Sequence, residues 1–259
     1  MKIAISGKGG VGKSTLAAAL ALLLSKKGKK VLAVDADPDS NLASALGLTE
    51  SEQREIIPIS KHIQLIEERT GAKVNQYGQM FKLNPVVSDI SEKYAVRKDG
   101  VSLLVLGAVE SGGSGCACPE NVLIRALITD LILYKDDELI MDMEAGVEHL
   151  GRATVTGVDK LIVVIEPGQR SVDSAKRIIK MAGQIGLKNI VLVGNKINGA
   201  GDEEFISNSI PGFKVIGFIP YSEQFKKLDR LGLSVLDGLS REKIDIFDKI
   251  LGTIYEMNK

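Results

Sequence analysis

Tryptophan is missing altogether, and aromatic residues make up only 4% of the 259-residue chain. With 44% of residues hydrophobic there is ample material for a core. That core must be built mainly from Ala, Val, Ile and Leu. Net charge is missing too: Lys plus Arg and Asp plus Glu balance at 33 each. A chain without net charge argues against indiscriminate electrostatic binding to nucleic acid, although a local basic patch stays open. Cysteine is scarce. The two residues present, Cys116 and Cys118, are far too few for a disulfide scaffold. A bridge inside C-x-C would close a small strained ring, so both are read as thiols of a reducing cytoplasm. Long apolar runs are lacking as well. "LAAALALLL" (16–24) would span roughly 14 Å as a helix, against about 30 Å for a bilayer core. "SKKGKK" follows it without a small-residue cleavage pattern, which argues for a helix buried against a sheet rather than a signal peptide. The expectation is a cytoplasmic protein with neither membrane nor nucleic acid as partner.

What is present is a regular alternation. "KIAIS" (2–6), "VLAVD" (31–35), "SLLVL" (102–106), "ELIMD" (138–142), "KLIVVI" (160–165), "NIVLVG" (189–194) and "KVIGFI" (214–219) are nearly continuous in Val, Ile and Leu. Such runs suit strands covered on both faces. Helical patterns fall between them, notably over 13–27, 119–134, 171–185 and 239–257. The alternation predicts an α/β fold, a doubly wound, mainly parallel sheet flanked by helices. Repeats, low-complexity tracts and Pro/Ser-rich linkers are absent, so residues 1–259 are expected to form one domain. The stretch 49–100 is less regular and reads as an insertion or lid with a helix near 60–70. Near the C-terminus, Ile244, Phe247, Ile250, Leu251 and Ile254 fall on one side of a helix whose polar face mixes Asp, Glu and Lys. That mixture fits a helix closing the fold better than one lying on a membrane.

"GKGGVGKS", Gly7 to Ser14, matches G-x-x-x-x-G-K-[ST] between a strand and a helix, the setting that gives this motif its meaning. Gly9, Gly10 and Gly12 allow a tight turn that aims backbone N–H groups at phosphate oxygens. The next helix presents its positive end to the same anion. Lys13 is placed to reach the β- and γ-phosphates and Ser14 to coordinate Mg²⁺. The expected cradle for ATP or ADP is Gly7, Lys8, Gly9, Gly10, Val11, Gly12, Lys13, Ser14 and Thr15.

With its additional lysine, "KGGVGKS" resembles the deviant Walker A motif of the MinD/ParA/nitrogenase-iron-protein class of P-loop ATPases. That resemblance implies that Lys8 crosses a dimer interface to the partner's nucleotide, and hence an ATP-dependent homodimer. "VDADPDSN" resembles the first switch region, with Asp37 orienting the attacking water near Mg²⁺, Asp39 as a helper and Asp35 bonding nearby backbone. "MDMEAG" resembles the second switch, with Asp142 reaching Mg²⁺ through water and Gly146 offering its N–H to the γ-phosphate. "GNKI" resembles the adenine-reading segment, with Asn195 at the purine edge, and Pro220 of "IPYSE" lines the base pocket from the other side. The catalytic set implied is Lys8, Lys13 and Asp37, and the Mg²⁺ set is Ser14, Asp37 and Asp142.

"GGSGCACPEN" (112–121) follows the strand over 102–106 and should emerge on the same sheet edge as the phosphate loop. Pro119 suits the first position of a helix, which puts Cys118 at or near its N-cap, where the helix dipole favours thiolate. Three readings stand: buried structural cysteines, a redox pair, or metal ligands. One chain offers two ligands where a closed Zn²⁺ thiolate site uses four, and a twofold axis through the loop would complete it.

The deviant Walker motif, "CACPEN" and "DMEAGVEHLGR" taken together resemble the carbon monoxide dehydrogenase maturation family of nickel-inserting accessory ATPases (CooC-like). The resemblance spans essentially the whole chain. It implies an ATP-hydrolysing metallochaperone whose homodimer holds Ni²⁺, or Zn²⁺ in its place, between Cys116 and Cys118 of both copies. Its client would be carbon monoxide dehydrogenase. Acetyl-CoA synthase maturation, an iron–sulfur ATPase and a membrane- or DNA-positioning ATPase are the alternatives. His62 and His149 are additional candidate ligands, since imidazole suits Ni²⁺.

Overall fold

The computed structural model describes residues 1–74, 76, 78–108, 118–147, 149–151 and 154–258. Eight strands form a single sheet in the order β3-β4-β2-β5-β1-β6-β7-β8. They are β1 (Lys2–Gly7), β2 (Val31–Ala36), β3 (Val96–Lys98), β4 (Val101–Val105), β5 (Glu138–Met143), β6 (Lys160–Ile165), β7 (Ile190–Ile197) and β8 (Val215–Pro220). Every pairing is parallel except that of β3 with β4, so the doubly wound, mainly parallel sheet expected from the strand runs is present with one antiparallel edge.

Strand side chains alternate between two cores, as the two-residue period of a strand requires. Ile3 and Ile5 face one core while Ala4 faces the other, and Val31 and Ala33 oppose Leu32 and Val34 in the same way. The first core is covered by α1 (Lys13–Lys26), α2 (Leu42–Ala45), α9 (Glu223–Arg230) and α10 (Arg241–Glu256). The second is covered by α4 (Ile63–Thr70), α5 (Ile90–Tyr94), α6 (Pro119–Leu133), α7 (Gln169–Ile185) and α8 (Ala200–Ser209). A short α3 (Glu50–Glu55) opens on a capping box between Thr49 and Glu52. The run Leu16–Leu24 is buried within α1, as its composition predicted. Phe247, Ile250, Leu251 and Ile254 of α10 are buried against the sheet, each worth on the order of 2 kcal/mol in apolar transfer. Gly217 on β8 makes room for Ile250, because a Cβ there would overlap that side chain.

Residues 49–100 add β3 to the sheet and send Ile59, Leu65, Ile66, Val87 and Ile90 into the second core. Among the described residues no helix is long and apolar enough to cross a membrane.

Candidate nucleotide site

β1 lies between β5 and β6, so the loop after it sits at the middle of the sheet's carboxyl edge. Gly10 and Gly12 adopt left-handed backbone, with φ of 78° and 97°, which side-chain-bearing residues rarely take. A Cβ on Gly12 would also overlap the Asn195 amide. Gly12 is the N-cap of α1, so that helix begins at Lys13 with its positive end at the loop. Gly9, Gly10, Gly12, Lys13, Ser14 and Thr15 line a cavity of about 580 Å³, whose far wall includes Phe225, Leu228 and Val235.

Lys13 is only 6% exposed, and its ammonium pairs with Asp37 Oδ2 at 3.2 Å. A buried lysine needs such a partner, and the pair brings the segment after β2 onto the loop. That segment is anchored by Asp35. Its carboxylate accepts from the N–H of Asp37 (3.2 Å), the hydroxyl of Ser40 (2.6 Å) and the N–H of Leu42 (3.0 Å). Burial pushes the Asp35 pKa up, and these bonds oppose the rise. The backbone-bonding role expected of Asp35 is thus present. Asp39 is exposed, and its N–H donates to Asp37 Oδ1 at 3.1 Å.

Asp142, one residue before the end of β5, lies directly beside Asp35, since the two are register partners. It is fully buried, and among the described residues no hydrogen bond of ordinary geometry reaches either carboxylate oxygen. Burial, and then the neighbouring Asp35 charge, push its pKa up to about 7, while Ser14 and Lys13 nearby act in the opposite direction. Two unmatched oxygens facing a serine hydroxyl at the end of a phosphate loop fit a hard divalent cation such as Mg²⁺, which takes oxygen ligands and keeps several waters. The chain after Asp142 is tied to β1. The Ser6 hydroxyl lies 2.7 Å from the Glu144 carbonyl and 2.9 Å from that of Gly146. The Gly146 N–H donates to the Glu144 carbonyl at 2.7 Å, so a γ-phosphate would have to take it from that bond.

Asn195 is 8% exposed and turned toward the loop. Its amide donates to the Val11 carbonyl at 2.6 Å and accepts from the Lys196 N–H at 2.8 Å. Each half of the amide thus keeps one donor or lone pair for a base. Pro220 ends β8 at the surface, paired with Ile197. Lys8 is 40% exposed, with its ammonium 3.8 Å from Glu166 Oε1. Sequence reading passed over Glu166 and Lys196, although "IEPG" and "GNKI" carry charged residues where strands end.

Cys116 lies outside the described residues. Cys118 is half-buried at the N-cap of α6, with Pro119 following it. Among the described residues no group of three or more His, Cys, Asp and Glu side chains is placed to hold a metal. His62 has a structural setting, with Nε2 3.0 Å from the Ile57 carbonyl and its ring edge-on to Tyr94 at 4.7 Å. His149 is partly buried after β5, and its Nε2 has no hydrogen-bond partner among the described residues.

Residues 2–235 match the family described as the CobQ/CobB/MinD/ParA nucleotide binding domain. An uncharacterized ATP-binding protein of Methanocaldococcus jannaschii is 45% identical over 256 residues, covering 97% of this chain and 98% of that one. The carbon monoxide dehydrogenase accessory protein CooC of Rhodospirillum rubrum is 45% identical over 237 residues, covering 92% of this chain and 90% of that one. Among solved structures, the MinD cell division protein of Aquifex aeolicus matches with a TM-score of 0.68 at 24% identity, covering 98% of both chains. The fold, the glycine loop with its two lysines and these relatives agree: the chain belongs to the CobQ/CobB/MinD/ParA family of P-loop ATPases and is CooC-like within it.

Proposed function

We propose that this ATPase is a nickel-handling maturation factor for carbon monoxide dehydrogenase, whose ATP-bound homodimer holds the metal between the C-x-C pairs of two copies. The observation that carries this reading is the strand order β4-β2-β5-β1. The thiol loop follows β4 and the phosphate loop follows β1, and the two switch segments, after β2 and β5, lie between them. Three steps across a sheet are about 14 Å. Hydrogen bonds connect the row: Leu106 N–H donates to the Asp35 carbonyl at 2.9 Å, and Ser6 binds the chain after β5. A change at the γ-phosphate would therefore reach the thiol loop through adjoining segments. The identity to CooC supports the same client.

In the proposed cycle the loop N–H groups and Lys13 bind the triphosphate. Lys13 then exchanges its Asp37 partner for phosphate oxygens, which frees the Asp37 carboxylate to orient water in line with the γ-phosphate. Asp142 and Ser14 are the residues that would hold a water-ligated Mg²⁺, which when bound offsets phosphate charge. Lys8 reaches the nucleotide of the second copy, so ATP binding brings two thiol loops together. Four thiolates suit Ni²⁺ or Zn²⁺ as cargo, and loss of the γ-phosphate would loosen the dimer and release it.

The test is elemental analysis beside a sizing column, with and without ATP. Cys116→Ser with Cys118→Ser should lose the metal and keep nucleotide binding, and Lys8→Ala should bind ATP yet stay monomeric. Unchanged metal in the double variant, or iron with sulfide in place of nickel or zinc, would overturn the reading.

A further inference from the structure

Lys196 is one of two non-glycine residues with positive φ among the described residues, at 59°. Its position also coincides with an irregularity in the ladder, where the register between β7 and β8 shifts between Asn195 and Ile197. Left-handed backbone on a lysine costs on the order of 1 kcal/mol, and such outliers persist where the surroundings enforce them. Ladder irregularities of this kind re-aim a side chain. Here the side chain is aimed at the phosphate loop. Lys196 Nζ donates to the Gly10 carbonyl at 2.7 Å and pairs with Glu166 Oε2 at 3.1 Å.

Two routes lead from there to Lys8. The first is backbone. A trans peptide's N–H points opposite its C=O, so fixing the Gly10 carbonyl fixes the Val11 N–H. That N–H donates to the Lys8 carbonyl at 3.3 Å. The second is side chain: the other Glu166 oxygen lies 3.8 Å from Lys8 Nζ. The next loop carbonyl, Val11, is held by Asn195. The end of β7 therefore grips two consecutive peptides of the loop.

We propose that Lys196 and Glu166 are positioning residues for Lys8, closing a circuit of contacts that holds the loop backbone in place and keeps the Lys8 side chain on its own chain until a partner's triphosphate draws it away. The inference rests on the ATP-driven dimer proposed above. Glu166 suits a releasable latch because it is shared. When Lys8 departs, the carboxylate keeps Lys196 as its counter-ion and no unpaired charge is left. The Lys8 contact is the longer of the two and partly exposed, so a multiply charged phosphate outcompetes it readily. Lys196, bound to both a carbonyl and a carboxylate, stays and keeps the loop shaped for phosphate.

The experiment uses the full chain, with affinity for a non-hydrolysable ATP analogue by calorimetry and dimerisation by sedimentation. Lys196→Asn, which tolerates left-handed backbone but cannot reach, should weaken analogue binding about tenfold. Lys196→Arg, which restores the charge, should recover most of that loss. Glu166→Gln should tighten analogue-dependent dimerisation two- to fivefold, about the strength of an exposed pair, and the gain should shrink with added salt. A merely structural defect would not produce a gain. If the wild-type chain dimerises with the analogue but Glu166→Gln dimerises equally or less, the latch is overturned and the dimer reading stands. If the wild-type chain stays monomeric, the dimer reading falls and takes the latch with it. Analogue affinity unaltered in Lys196→Asn would overturn the loop-positioning role.

Discussion

The two flanks of the phosphate loop are built in opposite ways. On the β6–β7 flank each of these polar side chains has a partner at the loop: Asn195 on Val11, Lys196 on Gly10 and Glu166, Glu166 on Lys8. On the β2–β5 flank Asp142 is buried with no hydrogen bond of ordinary geometry among the described residues, Lys13 is occupied by Asp37, and the Gly146 N–H is turned onto its own loop. One flank is a finished brace. The other is a set of groups whose natural partners are phosphate and cation, and it holds the switches. A loop braced on one side and incomplete on the other lets the phosphates and cation of a bound nucleotide act mainly on the switch side, while the brace yields only at the Lys8 contact.

The largest way to break this contrast is Lys13→Ala. ATP hydrolysis should fall by about a hundred- to a thousandfold, because the buried ammonium at the head of the phosphate loop is gone. Loss within tenfold would mean that another cation does its work. Gly12→Ala attacks the brace instead. The left-handed φ and the overlap with Asn195 should destabilise the fold by about 1–3 kcal/mol and remove nucleotide binding, read by a thermal melt beside calorimetry.

Asp142→Asn sharpens the comparison by separating stability from function. With the folded pKa near 7 against an ordinary 3.8, the folded chain binds the extra proton across that interval. Stability from this group therefore falls as pH rises from about 4 to 7. The variant should melt a few degrees above the wild-type chain at pH 8 without nucleotide and show no such gain at pH 4, while Mg²⁺-dependent hydrolysis is lost. Parallel melting curves across that range would contradict the unmatched carboxylate. The smallest effect is Ser40→Ala, which removes one of three bonds to Asp35 and should cost about 1 kcal/mol.

The same contrast explains what was legible beforehand. The parallel strands showed as continuous apolar runs because both faces are buried, and their ends moved by only a few residues: 102–106 became Val101–Val105, and 189–194 extended to Ile190–Ile197. β3 was invisible, being three residues long and only partly buried at an edge. α9, "EQFKKLDR", is only eight residues long and largely polar, with Leu228 its single buried residue, so it offered no apolar run of helix length. The glycine loop announced itself because its conformation demands particular residues. Glu166 and Lys196 did not, because their roles come from a ladder irregularity and a strand neighbour that no local pattern encodes. The thiol loop stood out from composition alone, and of its two cysteines Cys118 is the one described, at the N-cap expected from Pro119.

The central claim is that ATP joins two copies around one metal held by their thiols. Native mass spectrometry of the wild-type chain with Mg²⁺, nickel and a non-hydrolysable ATP analogue tests it most directly. The account predicts a species of two chains, two nucleotides and one nickel ion, with nickel absent when Cys116 and Cys118 are serine. Nickel carried by a monomer, or retained by the dimer without those thiols, would contradict it.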